Sequence, residues 1–238
     1  MLLTIMARNY EKFRNVGERK VGFYEVMYEV LIKGHDEDKE SFDRFFHSVS
    51  SSDEFTQVFR EFCALAYMEG VFVFNHRSFE RFFKHLKSKK ELRNPSKFEL
   101  SAFEHDVCAT ACMMYEQESG IFYIDPGFQD YFFAEFYYFE DTEPTKEMGR
   151  ALWDRKIDSF RNLDALKMLY EIAPEKVNVC IIQPYLENIF KGKEDAEAFL
   201  RFLSNGFGDV KYTLLNKPLI DEYMNCLLYT SDAADDRI

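Results

Sequence analysis

Tyr123-Ile124-Asp125-Pro126-Gly127-Phe128-Gln129-Asp130-Tyr131-Phe132-Phe133-Ala134 joins a strand end, a turn and the start of a helix. Ile121 to Ile124 is β-branched and aromatic, the best strand candidate in the chain. Asp125-Pro126-Gly127 stops it, with Asp125 placed to start the turn and to cap the next helix. From Phe128 to Phe139 the aromatics recur at helical spacing. Phe128 falls beside Tyr131 and Phe132, and Phe136 continues that face. Phe133 and Tyr137 occupy a neighbouring face. A helix apolar on both faces predicts burial on more than one side.

Upstream, helices are expected over 2–13, from Lys20 through Tyr24, Met27, Tyr28 and Leu31, and in a short unit with Phe42, Phe45, Phe46 and Val49. Ser50-Ser51-Ser52-Asp53 offers N-cap chemistry to a helix with Phe55, Phe59, Phe62, Cys63 and Ala66 on one side. Val71-Phe72-Val73-Phe74 is a brief β-prone stretch. Ser78 is the expected cap of a helix with Phe79, Phe82, Phe83 and Leu86. Lys87-Ser88-Lys89-Lys90 and Asn94-Pro95-Ser96 are expected to form a basic loop, with the run from Lys84 to Lys90 solvated. A long helix is expected through Leu100, Phe103, Val107, Ala111 and Met114, with Gly120 ending it. Asp141-Thr142-Glu143-Pro144 is the clearest internal boundary. Beyond it short helices are expected over 145–158, 163–173, 174–190 and 194–204, with Pro174 and Pro184 at first-turn positions. Their pairing is like an α-solenoid stack, without a clean repeat period.

These elements make the fold class all-α, mainly helical, with a small β-hairpin. Composition agrees: 47% hydrophobic residues, with 26 Phe and 14 Tyr but only 10 Gly and 6 Pro in 238 residues. The net charge of -12 sets an acidic surface against phosphate backbones, so nucleic acid is not an expected partner. The helices over 55–69 and 98–118 lack the basic face of a DNA reader. No apolar run approaches a membrane span. Five cysteines without a C-x-x-C pair read as reduced thiols in the cytoplasm.

Tests for catalytic motifs fail. Gly192-Lys193 lacks the earlier glycine of a phosphate loop, and Gly206-Phe207-Gly208 lacks the third glycine of a dinucleotide fingerprint. His105, Cys108 and Cys112 share one face of the expected long helix, but their spacing suits a buried core better than zinc. Asp36, Glu37 and Asp38 read as a solvated helix exit. No catalytic residue and no metal ligand is assigned.

The string from Tyr123 to Ala134 resembles the end of the winged-helix domain of NACHT-type NTPases, of the signal-transducing STAND class. The family pattern there is Phe-x-His-x-x-Phe-Gln-Glu-Tyr-Phe-Ala-Ala. Phe128, Gln129, Tyr131, Phe132 and Ala134 match it, and Asp130 stands for its Glu. Arg19-Lys20-Val21-Gly22-Phe23-Tyr24-Glu25 is similar to the family's R-x-x-L-Y-E helix, and Leu2 to Met6 to the apolar helix that comes after its Gly-x-Pro motif. The resemblance covers about residues 1–140. The family's nucleotide-sensing histidine falls on Asp125, where a carboxylate would repel phosphate unless a cation intervenes.

The resemblance implies a helical segment over 1–50, following a nucleotide-binding domain that lies outside this sequence. It also implies a winged-helix-like domain over 51–140; the short helical units beyond that boundary are read as a helical, repeat-like region over 145–225. Residues 226–238 resemble a translated sequencing adapter and are read as an artefact. The implied role is the non-catalytic, signal-relaying arm of a nucleotide-dependent switch in the cytoplasm. This stretch would carry no cofactor, while its parent would use ATP or ADP with Mg. Its implied partners are the nucleotide-binding domain of the same chain and, through the parent, a protein ligand or further copies. The alternative is a stand-alone helical scaffold for protein partners.

Overall fold

The computed structural model describes residues 6–7, 10–14, 19–33, 45–89, 92–154 and 164–190. The expected helix over 194–204, the tail 226–238, the carboxylates at 36–38 and Phe42 lie outside them. The chain divides into two compact units, Met1–Leu186 and Glu187–Ile238. The first carries everything discussed below except residues 187–190.

Two short N-terminal elements come first: α1 (Tyr10–Arg14) and α2 (Lys20–Lys33). The next block runs α3 (Ser52–Met68), β1 (Val73–Phe74), α4 (His76–Lys89), α5 (Leu100–His105), β2 (Met114–Gln117) and β3 (Gly120–Tyr123). Then come α6 (Gly127–Phe139), α7 (Thr142–Asp154), α8 (Asp164–Ile172), α9 (Pro174–Val177) and α10 (Gln183–Phe190). The protein is thus mainly helical with one small antiparallel sheet. In that sheet β3 lies between β1 and β2. From α3 to β3 the elements follow the order α–β–α–α–β–β, and β1 and β2 both pair with β3.

Local chemistry explains most element starts. Ser51 caps α3 by accepting the Glu54 N–H, and Glu54 reaches back to accept the Ser50 N–H. This is a near capping box, displaced by one residue. Burial works against the Glu54 carboxylate, but N–H donors from Arg93 and Ser50 outweigh it and lower its pKa. At α4 the expected cap moves. Asn75, not Ser78, is the cap: Asn75 Oδ1 accepts the Ser78 N–H at 2.8 Å and Ser78 Oγ accepts the Asn75 N–H at 3.0 Å. Asparagine is as good a cap as serine, and the reciprocal pair satisfies two orphan donors. Pro174 opens α9 at a first-turn position, as its spacing predicts.

The apolar faces read from the sequence are buried. Phe55, Phe59, Phe62, Cys63 and Ala66 of α3 and Phe79, Phe82, Phe83 and Leu86 of α4 all enter one core. Phe62 contacts Phe74, Phe79, Phe82 and Phe103 with ring centroids 5.0–5.9 Å apart. Phenylalanine thus fills the centre with edge and tilted contacts, each worth roughly 0.5–1.5 kcal/mol beyond area burial.

Four further expectations are corrected. The helix through Leu100 does not run to Met114. After His105 it widens into a π-turn over 106–110 and stops, and Met114–Gln117 is a strand. Cys112 takes φ 53°, the left-handed conformation that turns the chain out of the helix. A buried anchor holds that widened turn. The carboxylate of Asp106 accepts the N–H groups of His47 and Ser48 and the hydroxyls of Ser48 and Thr110. Second, Phe45 and Phe46 are not helical; Asp106 instead holds residues 47–48 in a bend, with Phe46 and Val49 buried and Phe45 exposed. Third, the basic run is no loop up to Lys89, because α4 continues that far, with Lys87 paired to Glu99 at 2.8 Å. Fourth, His105, Cys108 and Cys112 do not form one buried face. His105 is exposed, Cys108 and Cys112 are half-buried, and Cys112 lies beyond the helix.

Gly120 has a backbone reason to be glycine. Its φ is +145°, and a Cβ there would lie 2.5 Å from the Phe74 carbonyl oxygen across the sheet. After α6, Glu140 and Asp141 alone separate it from α7. Lys176 closes the C-terminus of α6, its ammonium donating to the carbonyls of Tyr137, Tyr138 and Glu140.

Candidate functional site

The residues singled out by sequence lie where α6 meets α2, α3 and α8. Phe128, Gln129, Tyr131, Phe132 and Ala134 are all buried, and Asp130 is 8% exposed. Phe132 meets Tyr28 of α2 at 4.9 Å and Phe59 of α3 at 5.0 Å, both edge-on. Phe128 meets Tyr24 of α2 at 5.2 Å. On the neighbouring face Phe133 packs on Tyr67 of α3 and on Tyr137. Gln129 donates from Nε2 to the Val71 carbonyl at 2.9 Å, fixing the segment that leaves α3. The prediction of a helix buried on more than one side therefore holds.

Asp125 is built into the turn. Its Oδ1 accepts the Gly127 N–H at 2.8 Å and the Tyr24 hydroxyl at 2.9 Å. The first bond caps α6, and the second ties α2 to that cap. Gly127 is required by the close approach: a Cβ there would overlap the hydroxyl and ring of Tyr24. Gly127→Ala is therefore expected to destabilise the chain by about 1–3 kcal/mol, the range for overpacking. In the Tyr24→Ala background the same change should cost much less, because the obstructing ring is gone. Equal costs in both backgrounds, measured by urea titration, would contradict the contact.

Beside this turn the Lys20 ammonium pairs with one carboxylate and lies in the field of two more, Asp130 and Glu171. Lys20 of α2 binds Asp164, at the start of α8, at 2.7 Å. That hydrogen bond raises the Lys20 pKa and lowers that of Asp164. The Arg19 guanidinium donates to the Glu171 carbonyl, and the Val21 N–H donates to the Glu171 carboxylate, so the start of α2 is clamped along α8. Asp130 sits behind the clamp. Burial, reinforced by Asp164 and Asp125 and opposed by Lys20, pushes its pKa up to about 7.

The sequence offered no signal for the partners of these residues. Tyr24 and Asp125, or Lys20 and Asp164, are separated by more than a hundred positions, and nothing in their local spacing joins them. Nor does local spacing join His76, Glu104 and Glu116, which come together from α4, α5 and β2.

Elsewhere the chemistry is structural. The thiol of Cys108 is pushed up to about 12 by burial, with Glu104, Glu116 and Cys112 adding to the rise, the opposite of a metal-binding thiolate. A shallow depression at the start of α4 is lined by Arg77, Arg81 and Lys84. Two of those cations are already paired, Arg81 with Glu69 and Lys84 with Glu80. No helix among the described residues is long and apolar enough to cross a membrane. No protein-family model matches the chain, and neither a curated protein nor a solved structure matches it.

Proposed function

We propose that this chain is the regulatory arm of a NACHT-type ATPase, a winged-helix relay between a nucleotide-binding domain and downstream helices. The single observation that carries the reading is the position of α6. The helix bearing Phe128, Gln129, Asp130, Tyr131 and Phe132 is buried between the winged-helix block, the α2 helix that resembles R-x-x-L-Y-E, and α8. A relay needs a rigid element whose packing two neighbours bias, so that a signal at one reaches the other. Here α2 would carry the link to the nucleotide domain and α8 the link to the sensor helices. The Lys20–Asp164 clamp connects those two directly.

In this reading nucleotide and Mg belong to the parent protein, and Asp125 holds the α6 cap against Tyr24. The test is the gene upstream of Met1. It should encode, in frame, a phosphate loop about 150–250 residues earlier, the length of one domain. An upstream reading frame without one would remove the proposal and favour a stand-alone scaffold.

The chain itself is expected to show no ATP turnover, because its sequence contains no G-x-x-x-x-G-K-[ST] motif to form the N–H cradle of a phosphate loop. Phosphate release above a blank that survives repurification, measured with Mg present, would contradict this.

A further inference from the structure

His76, Glu104 and Glu116 arrive from three separate elements: the start of α4, α5 and β2. One donor atom from each lies within 4.8 Å of the others. Glu104 Oε1 is 3.6 Å from His76 Nδ1, and Glu116 Oε1 is 3.1 Å from His76 Nε2. We propose that these three side chains form a binding site for a borderline divalent metal ion of the zinc class.

Two features support it. The first is donor logic. A neutral imidazole carries one N–H, so it can donate to only one of two flanking carboxylates, and its other nitrogen then faces an acceptor. A metal ion held between that nitrogen and the carboxylate oxygens removes the conflict. One ring nitrogen and one oxygen from each glutamate, all within 4.8 Å of one another, suit zinc once both carboxylates turn to the same edge of the ring, and three protein ligands leave a fourth position for water. The second is preorganisation. His76 comes directly after Asn75, which is fixed by its reciprocal cap with Ser78. Glu104 adjoins the fully buried Phe103. Glu116 is held in register opposite Ile121 in the sheet. The backbone therefore brings the three side chains together, and only their ends need to adjust. A bound ion would staple β2 to α4 and α5, and so fix the hairpin on the helices.

The test is calorimetric titration of the full chain, free of any histidine tag, with zinc chloride at neutral pH. The parent should bind one equivalent, and the metal should raise its melting temperature. His76→Ala and Glu116→Gln should each weaken binding at least tenfold. Both positions are largely exposed, so the variants should melt like the parent without metal. Cys108→Ser/Cys112→Ser should bind as the parent does. If zinc binding is absent at 100-fold molar excess, the three side chains are a surface polar cluster and nothing more, and the proposal fails. It fails equally if binding survives His76→Ala and is lost with the cysteines.

Discussion

Phe132→Ala is expected to cost about 3–5 kcal/mol of stability, the range for truncating a buried aromatic side chain. Phe132 is 1% exposed and its ring touches residues of three elements: Tyr28 of α2, Phe59 of α3, and Phe128 and Tyr131 of α6 itself. Truncation would leave a void bounded by rigid rings, which cannot relax into it as aliphatic chains can. The control is Phe139→Ala on the same helix. Phe139 is 64% exposed and meets Arg60 at 4.4 Å over its ring face, a contact worth roughly 0.5–1 kcal/mol at an exposed site. Urea titration of both variants should show a large fall in midpoint for Phe132→Ala and a small one for Phe139→Ala. If Phe132→Ala unfolds like the parent, α6 is a surface recognition helix and the relay reading is lost.

That contrast also shows what the sequence makes legible. The helical period of Phe128, Tyr131, Phe132 and Phe136, with Phe133 and Tyr137 beside it, was enough to foresee burial on more than one side. Such burial depends on local spacing, which a sequence displays directly. The strand Met114–Gln117 was hidden for the opposite reason. Leu100, Phe103, Val107, Ala111 and Met114 keep helical spacing past the point where the helix ends. What stops the helix is non-local: the Asp106 carboxylate, bonded to His47 and Ser48, holds the widened turn. Antiparallel pairing with Gly120–Tyr123 then claims Met114–Gln117. Pairing with a neighbour overrides periodicity there, as it does wherever propensity is weak.

The candidate site divides along the same line. Asp125 could be assigned to a cap because the cap is two residues away. Its bond to Tyr24 could not be foreseen, and that bond changes its role from a turn residue to a joint between helices. Lys20 resembled part of a family helix and nothing more. Only the folded chain places it against Asp164 and in the field of Asp130.

Asp130→Asn is expected to alter the pH dependence of stability more than any other single change at this junction. Burial beside Asp164 and Asp125 raises the folded-state pKa from 3.8 to about 7, against the pull of Lys20. An acid whose folded pKa is raised holds its proton more tightly folded than unfolded. Near pH 4 and below, the carboxyl is neutral in the folded protein and costs little. Between 4 and 7 the unfolded chain ionises while the folded one does not, so stability falls as pH rises. At about 1.4 kcal/mol per unit over about three units, the loss from this group reaches roughly 4 kcal/mol by pH 8. Glu54 and Asp164 have lowered pKa values and act in the opposite sense, so the parent profile alone mixes signs. The difference between variant and parent isolates Asp130. Asparagine has the shape of the neutral acid, so the two chains should be similar near pH 4, and the variant should gain steadily up to pH 8. Parallel profiles from urea titrations at four pH values would show that Asp130 ionises freely. The carboxylate cluster behind the Lys20–Asp164 clamp would then be solvated rather than buried.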